Sequence, residues 1–189
     1  MPANREVEIK FRIDNLQHLA TGLQAAGFRL ITPRTHEMNV LYDQRAKLRR
    51  KGALLRLREY GSAWTLTYKD RKVSQKGRHK TRREFETQIK SGDAMVQVLE
   101  ALGFRPSFRY EKYRSEWSDA VGHVVVDETP IGNFGEIEGP PEWIDSTALR
   151  LNIPIESYIR ESYTELFMAW RRKTKSKASD MTFASIVQK

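Results

Sequence analysis

The chain has 189 residues, 39% hydrophobic and 30% charged, a balance that suits one globular domain with a sizeable core. No run approaches the roughly 20 apolar residues of a membrane helix, residues 1–12 lack the apolar run of a secretion signal, and cysteine is absent, which excludes disulfide and thiolate chemistry and fits a cytoplasmic location. A formal net charge of +9 points to an anionic partner, and charge alone leaves open nucleic acid, a membrane surface or a phosphorylated small molecule.

Residues 6–13 alternate charged and apolar side chains, the period of a strand with two unlike faces. Asp14 is then expected to cap a helix in which Leu16, Leu19, Leu23 and Ala26 share one face and Gly27 supplies the stop. Residues 28–43 are less regular but rich in β-branched and aromatic side chains, and a basic stretch, 45–52, separates them from the alternating run 53–60. Gly61-Ser62 turns this strand into another at 63–70, and a polar loop containing Gly77 leads to an alternating strand at 80–90. Met95, Val98, Leu99 and Leu102 keep one helical face between Asp93 and Gly103. Three more strands are predicted over 108–118, 121–128 and 134–139. After Pro140-Pro141 the pattern is helical, in two segments, the second over 158–170, where Tyr158, Phe167 and Trp170 pack inward or form a subunit contact. Residues 1–172 are expected to form the domain and 173–189 a mobile basic tail. About eight strands in mostly hairpin order, with few helices, give an α+β fold whose antiparallel sheet closes on itself.

The polar side of these strands carries the information. Glu6, Glu8 and Lys10 share one face, as do Arg56 with Arg58, Lys69 with Thr65 and Thr67, Arg82 with Glu84 and Glu86, Lys112 with Arg114, and Glu136 with Glu138. On a single strand such a face is ordinarily solvated. Six strands that repeatedly choose Glu, Lys or Arg predict instead that the faces meet in a lumen, where like charges about 7 Å apart need ligands to compensate them. Carboxylates in numbers collect hard divalent cations, Mg2+ or Mn2+, while arginine forks and lysine ammonium groups grip phosphate oxygens. The four histidines show no paired spacing, so any metal must sit on carboxylates.

The run Glu6-Val7-Glu8-Ile9-Lys10 resembles the ExExK signature of the CYTH domain, the triphosphate tunnel metalloenzymes. Leu55-Arg56-Leu57-Arg58 resembles that family's paired basic strand, Lys69 its following lysine, Arg82-Arg83-Glu84-Phe85-Glu86 its RxExE strand and Lys112-Tyr113-Arg114 its KxR pair. Asp127, the turn at Gly132 and Glu136-Ile137-Glu138 resemble its closing aspartate, glycine turn and ExE. The resemblance implies an eight-stranded antiparallel tunnel with helices packed outside. It implies Mg2+ or Mn2+ on Glu6, Glu8, Glu84, Asp127, Glu136 and Glu138, and triphosphate on Lys10, Arg56, Arg58, Lys69, Arg82, Lys112 and Arg114. Glu86, Lys69 and Tyr42 are the catalytic candidates, Glu86 to orient water and the other two to assist proton movement, with Tyr42 otherwise a barrel-wall aromatic. The expected reaction is hydrolysis of inorganic tripolyphosphate, thiamine triphosphate or a nucleotide; the alternatives are a class IV adenylate cyclase and a non-catalytic binder of polyphosphate or nucleic acid. Nucleic acid is disfavoured because no helix-turn-helix, RNP aromatic pair or zinc finger is visible, and a membrane partner is not expected. The oligomeric state is left open between monomer and homodimer.

Overall fold

The computed structural model describes residues 4–70 and 79–186, so the loop around Gly77 lies outside the described residues. Eight strands form the body: β1 (Asn4–Ile13), β2 (Arg29–Asp43), β3 (Leu54–Tyr60), β4 (Ala63–Lys69), β5 (Lys80–Ile89), β6 (Arg105–Ser118), β7 (His123–Thr129) and β8 (Gly132–Glu138). They close into an antiparallel barrel in the order β1-β5-β4-β3-β2-β6-β7-β8. Closure rests on β1, which pairs with β5 on one side (Glu6 opposite Arg82) and β8 on the other (Glu8 opposite Glu138).

Alternation then decides which side chains go inside the ring. Ile9, Phe11 and Ile13 of β1 face outward and pack with Val124 and Val126 of β7, Ile137 of β8 and the helices α1 (Leu16–Ala25) and α4 (Pro141–Arg150). Leu23 and Ile144 on those helices are fully buried, each stabilising by about 1.5–3 kcal/mol. A separate cluster packs Leu99 of α3 (Gly92–Ala101) on Tyr42 and Leu57. Between β2 and β3 the chain makes one short helix, α2 (Lys47–Arg50). Asn15, one residue later than the expected Asp14, caps α1, its Oδ1 accepting from the His18 N–H at 2.9 Å. The last helix, α5 (Tyr163–Thr174), begins five residues after the expected start, because Ser162 and Glu165 form a reciprocal capping box there.

Two features of the C-terminal region differ from expectation. First, α5 does not merely lie against the barrel: its Phe167 packs at a tilt on Phe108 and its Tyr163 meets Phe134 edge-on, with ring centroids 5.4 and 5.8 Å apart. Phe108 and Phe134 share inward parity with Lys112 and Glu136, so these aromatics form an apolar floor under a charged lumen. Second, the expected mobile tail packs against the barrel over residues 178–186. Met181 donates its N–H to Arg109 O at 2.9 Å and accepts from Glu111 N at 3.0 Å, and Met181 and Ile186 are buried. The physical reason is that β7 pairs with β6 only from Tyr113 to Ser118, leaving earlier backbone groups of β6 to find partners elsewhere. Among the described residues no helix is long and apolar enough to cross a membrane.

Candidate functional site: the charged lumen

Above the aromatic floor the barrel holds a cavity of about 670 Å3. Glu6, Glu8, Lys10, Arg56, Arg58, Lys69, Arg82, Glu84, Glu86, Lys112, Arg114, Glu136 and Glu138, all expected in the site from the sequence, line it together. Tyr42 does not. It is buried on the opposite side of the barrel wall, with Leu57 and Leu99 under α3, and burial raises its phenol pKa. As the next residue along the strand from the lumen-facing Leu41, Tyr42 points to the other face. Its catalytic assignment is therefore withdrawn.

The lumen charges are paired in a definite pattern. Lys69 bridges Glu6 (2.6 and 2.7 Å) and Glu84 (2.9 Å). Lys10 donates to Glu136, whose other oxygen accepts from Arg114 at 2.6 Å. Burial alone would push the Glu136 carboxyl up, but Lys10 and Arg114 hold it well below the usual carboxylate range. Arg56 stands 3.6 Å from Glu86, and Thr67 donates to the same Glu86 oxygen at 2.7 Å. Arg82 is buried at 8% exposure, faces no carboxylate within ion-pair distance among the described residues, and leaves its Nε–H without a partner. The Nε–H groups of Arg56 and Arg58 are likewise unpartnered.

Asp127 is drawn inward, as the resemblance implies, yet it sits behind the lining. Its oxygens accept from Lys112 (2.8 Å), Arg114 (2.6 and 2.7 Å) and Tyr163 (2.5 Å), and it is fully buried. Four donors leave it no capacity for a metal, so that assignment is corrected: Asp127 holds the two β6 cations in place. Removing one member of so buried a network costs about 3–5 kcal/mol. Tyr163, which the sequence reading passed over as an outer-helix residue, belongs to the site as well, with Lys10 and Lys112 at 4.5 and 4.8 Å from its ring centre. Burial, then Asp127, raises its phenol well above the usual value.

Glu37 was also missed. It is fully buried on β2 and ion-pairs with Arg58 at 2.7 Å, with Lys112 at 3.4 Å and Arg114 at 3.9 Å. Burial would raise its pKa, and the cations Lys112, Arg114 and Arg58 override that and hold it far below the usual range. The available signal was the run Glu37-Met38-Asn39-Val40, polar and apolar in turn.

Glu138 has the opposite balance. Burial, then repulsion from Glu6 and Glu8, pushes its carboxyl up to about 7. Lys69 offsets this only in part. Among the described residues no three carboxylate or imidazole groups already stand in coordinating geometry. The donor set of Glu6, Glu8 and Glu138 is nonetheless all oxygen, which suits a hard cation, and a positive charge there would relieve the repulsion at Glu138.

The pattern of the CYTH domain family matches residues 4–147. The chain belongs to the CYTH family. A protein of Methanocaldococcus jannaschii provisionally named an adenylate cyclase is 30% identical over 172 residues, which span 85% of this CYTH chain and 97% of the relative. Among solved structures, one from Vibrio parahaemolyticus, also provisionally named an adenylate cyclase, superposes with a TM-score of 0.76 at 19% identity, over 88% of this chain and 99% of that one. A Hippeastrum protein, provisionally named an adenylyl cyclase and described as having a dominant triphosphatase activity, gives 0.63 at 20% identity, over 89% and 96%. At these identities the two structures establish the shared CYTH fold.

Proposed function

We propose that this chain is a triphosphatase that takes inorganic tripolyphosphate, thiamine triphosphate or a nucleotide into the lumen with Mg2+ or Mn2+. The observation that carries the reading is Arg82, a buried guanidinium that lines the cavity with no carboxylate within ion-pair distance among the described residues and with an orphaned Nε–H. Burying an unpaired cation is costly unless an anion joins it, and Arg56 and Arg58 add further unspent donors in the same cavity. A chain of phosphates, with several charges and oxygens on all sides, fits such a lining.

In this reading Arg82, Arg56 and Arg58 grip phosphate oxygens, while Lys10, Lys112 and Arg114 stay tied to Glu136 and Asp127 and turn their remaining donors to the ligand. Glu6, Glu8 and Glu138 hold the divalent cation, which when bound supplies charge neutralisation and polarises phosphate oxygens. Glu136 is tied up by Lys10 and Arg114, and Lys69, which bridges Glu6 and Glu84, would turn wholly to Glu84 as the cation takes Glu6. Glu86 accepts a hydrogen bond from the attacking water and orients it, and Lys69 stabilises charge nearby. Little covalent chemistry is asked of the protein, because phosphoryl transfer is driven by positioning and charge stabilisation.

The names of the relatives support a second reading, in which the ribose 3′-hydroxyl of ATP attacks the α-phosphorus and pyrophosphate leaves. Incubation with Mg2+ or Mn2+ and tripolyphosphate, thiamine triphosphate or ATP separates the two. Orthophosphate is the expected product. Cyclic AMP with pyrophosphate would transfer the assignment to the cyclase, and no turnover of any of the three would remove it.

A further inference from the structure

Glu37 does not line the cavity, yet it touches three side chains that do. Its Oε2 accepts from Arg58 of β3 at 2.7 Å and lies 3.9 Å from Arg114 Nε, its Oε1 lies 3.4 Å from Lys112 of β6, and Asn39 donates to Oε1 at 2.8 Å. Three strands are thereby tied through one carboxylate that has no exposure at all. A buried anion beside an anion-binding cavity works against affinity, since it cancels attraction that the cations would otherwise exert on a ligand. What it contributes is geometry. Arg and Lys side chains carry large rotamer entropy, and mutual repulsion would splay three of them apart.

We propose that Glu37 is a positioning residue for phosphate: from inside the barrel, beneath the cavity lining, it fixes Arg58 and Lys112 so that their lumen-facing N–H groups meet the substrate at set points. This rests on the triphosphate reading of the lumen. Asn39 completes the device by holding the Glu37 carboxylate in one rotamer, while its own Oδ1 stays unpartnered.

The signature is a split between kcat and KM. Glu37→Gln keeps the shape and leaves the lumen one unit more positive, so attraction for a polyanion holds or grows while the alignment of Arg58 and Lys112 is lost. Steady-state kinetics on tripolyphosphate, thiamine triphosphate or ATP, whichever the wild type turns over, should give a kcat lower by about tenfold or more with KM unchanged or reduced. Glu37→Asp, which keeps the charge but withdraws it by one methylene, should fall between the two and carries the test if the Gln variant does not fold. A role in stability alone would lower the melting temperature and leave the kinetics of the folded fraction untouched, and that result overturns the proposal. A raised KM at unchanged kcat overturns it equally. A wild type that turns over none of tripolyphosphate, thiamine triphosphate and ATP sinks the triphosphate reading and this inference with it, whereas an active wild type with an undiminished variant sinks the positioning role alone.

Discussion

Met181 tests whether the C-terminal segment belongs to the folded core. The side chain has no exposure and packs with Phe108, Tyr110, Phe134 and Phe167, so Met181→Ala removes its transfer energy and leaves a cavity against rigid rings, a loss of about 2–5 kcal/mol. That is a large share of the roughly 5–15 kcal/mol that stabilises a typical domain. With a urea slope of about 2 kcal/mol per molar, a loss of about 3 kcal/mol moves the midpoint down by about 1.5 M. Equilibrium urea unfolding followed by tryptophan fluorescence can read this, since Trp170 on α5 stacks on Phe167 in the same cluster and Trp117 and Trp143 report on the opposite side of the barrel. Phe183→Ala, at a position 38% exposed, should shift the midpoint much less. If Met181→Ala moves it by no more than a surface substitution does, within about 0.5 kcal/mol, the segment does not share the core and the floor of the lumen is wrongly drawn.

Two further outcomes are expected. Arg82→Ala removes a charge-assisted contact to the substrate and should lower kcat/KM by about 10²-fold or more, whereas Tyr42→Phe, outside the lumen, should change it little; equal effects in steady-state assays would contradict both placements. The Glu138 carboxyl, raised in the folded state to about 7 from an ordinary value of 4.5, keeps its proton where the unfolded chain has lost it. Stability is therefore fully present below pH 4.5 and declines as pH rises toward 7, and Glu138→Gln should flatten that decline. Thermal melts in chelator across the window would show parallel curves for the two proteins if the carboxyl were unperturbed.

The barrel and most of its lining were legible because alternation on β1, β3, β5 and β8 is regular and charged, so one sequence period assigns a face to every residue. On β2 the sign is fainter. Register shifts at Leu30/Thr32 and Thr32/Thr35 disturb its first half, and from Glu37 to Tyr42 the alternation is regular but its inward positions Glu37, Asn39 and Leu41 carry a single charge, so Glu37 did not stand out, while Tyr42, on the outward parity, was offered for its phenol and not for its face. Asp127 was found only through its resemblance to a family motif, since its same-face neighbours Val125 and His123 carry no sign of a charged face, and its four donors come from β6 and α5. The outer helices followed from their apolar stripes. That α5 and residues 178–186 seal one end of the barrel could not be read locally, because two isolated apolar residues, Met181 and Ile186, in a polar segment acquire meaning only once the uncovered stretch of β6 is known.

That uncovered stretch also bears on how copies of this protein behave in a crowded solution. Backbone donors and acceptors left open along a strand can template a neighbouring molecule, the usual route from a folded sheet to an aggregate. By laying Met181 across Arg109 and Glu111, the chain fills that part of its own margin and leaves less of it open to another copy.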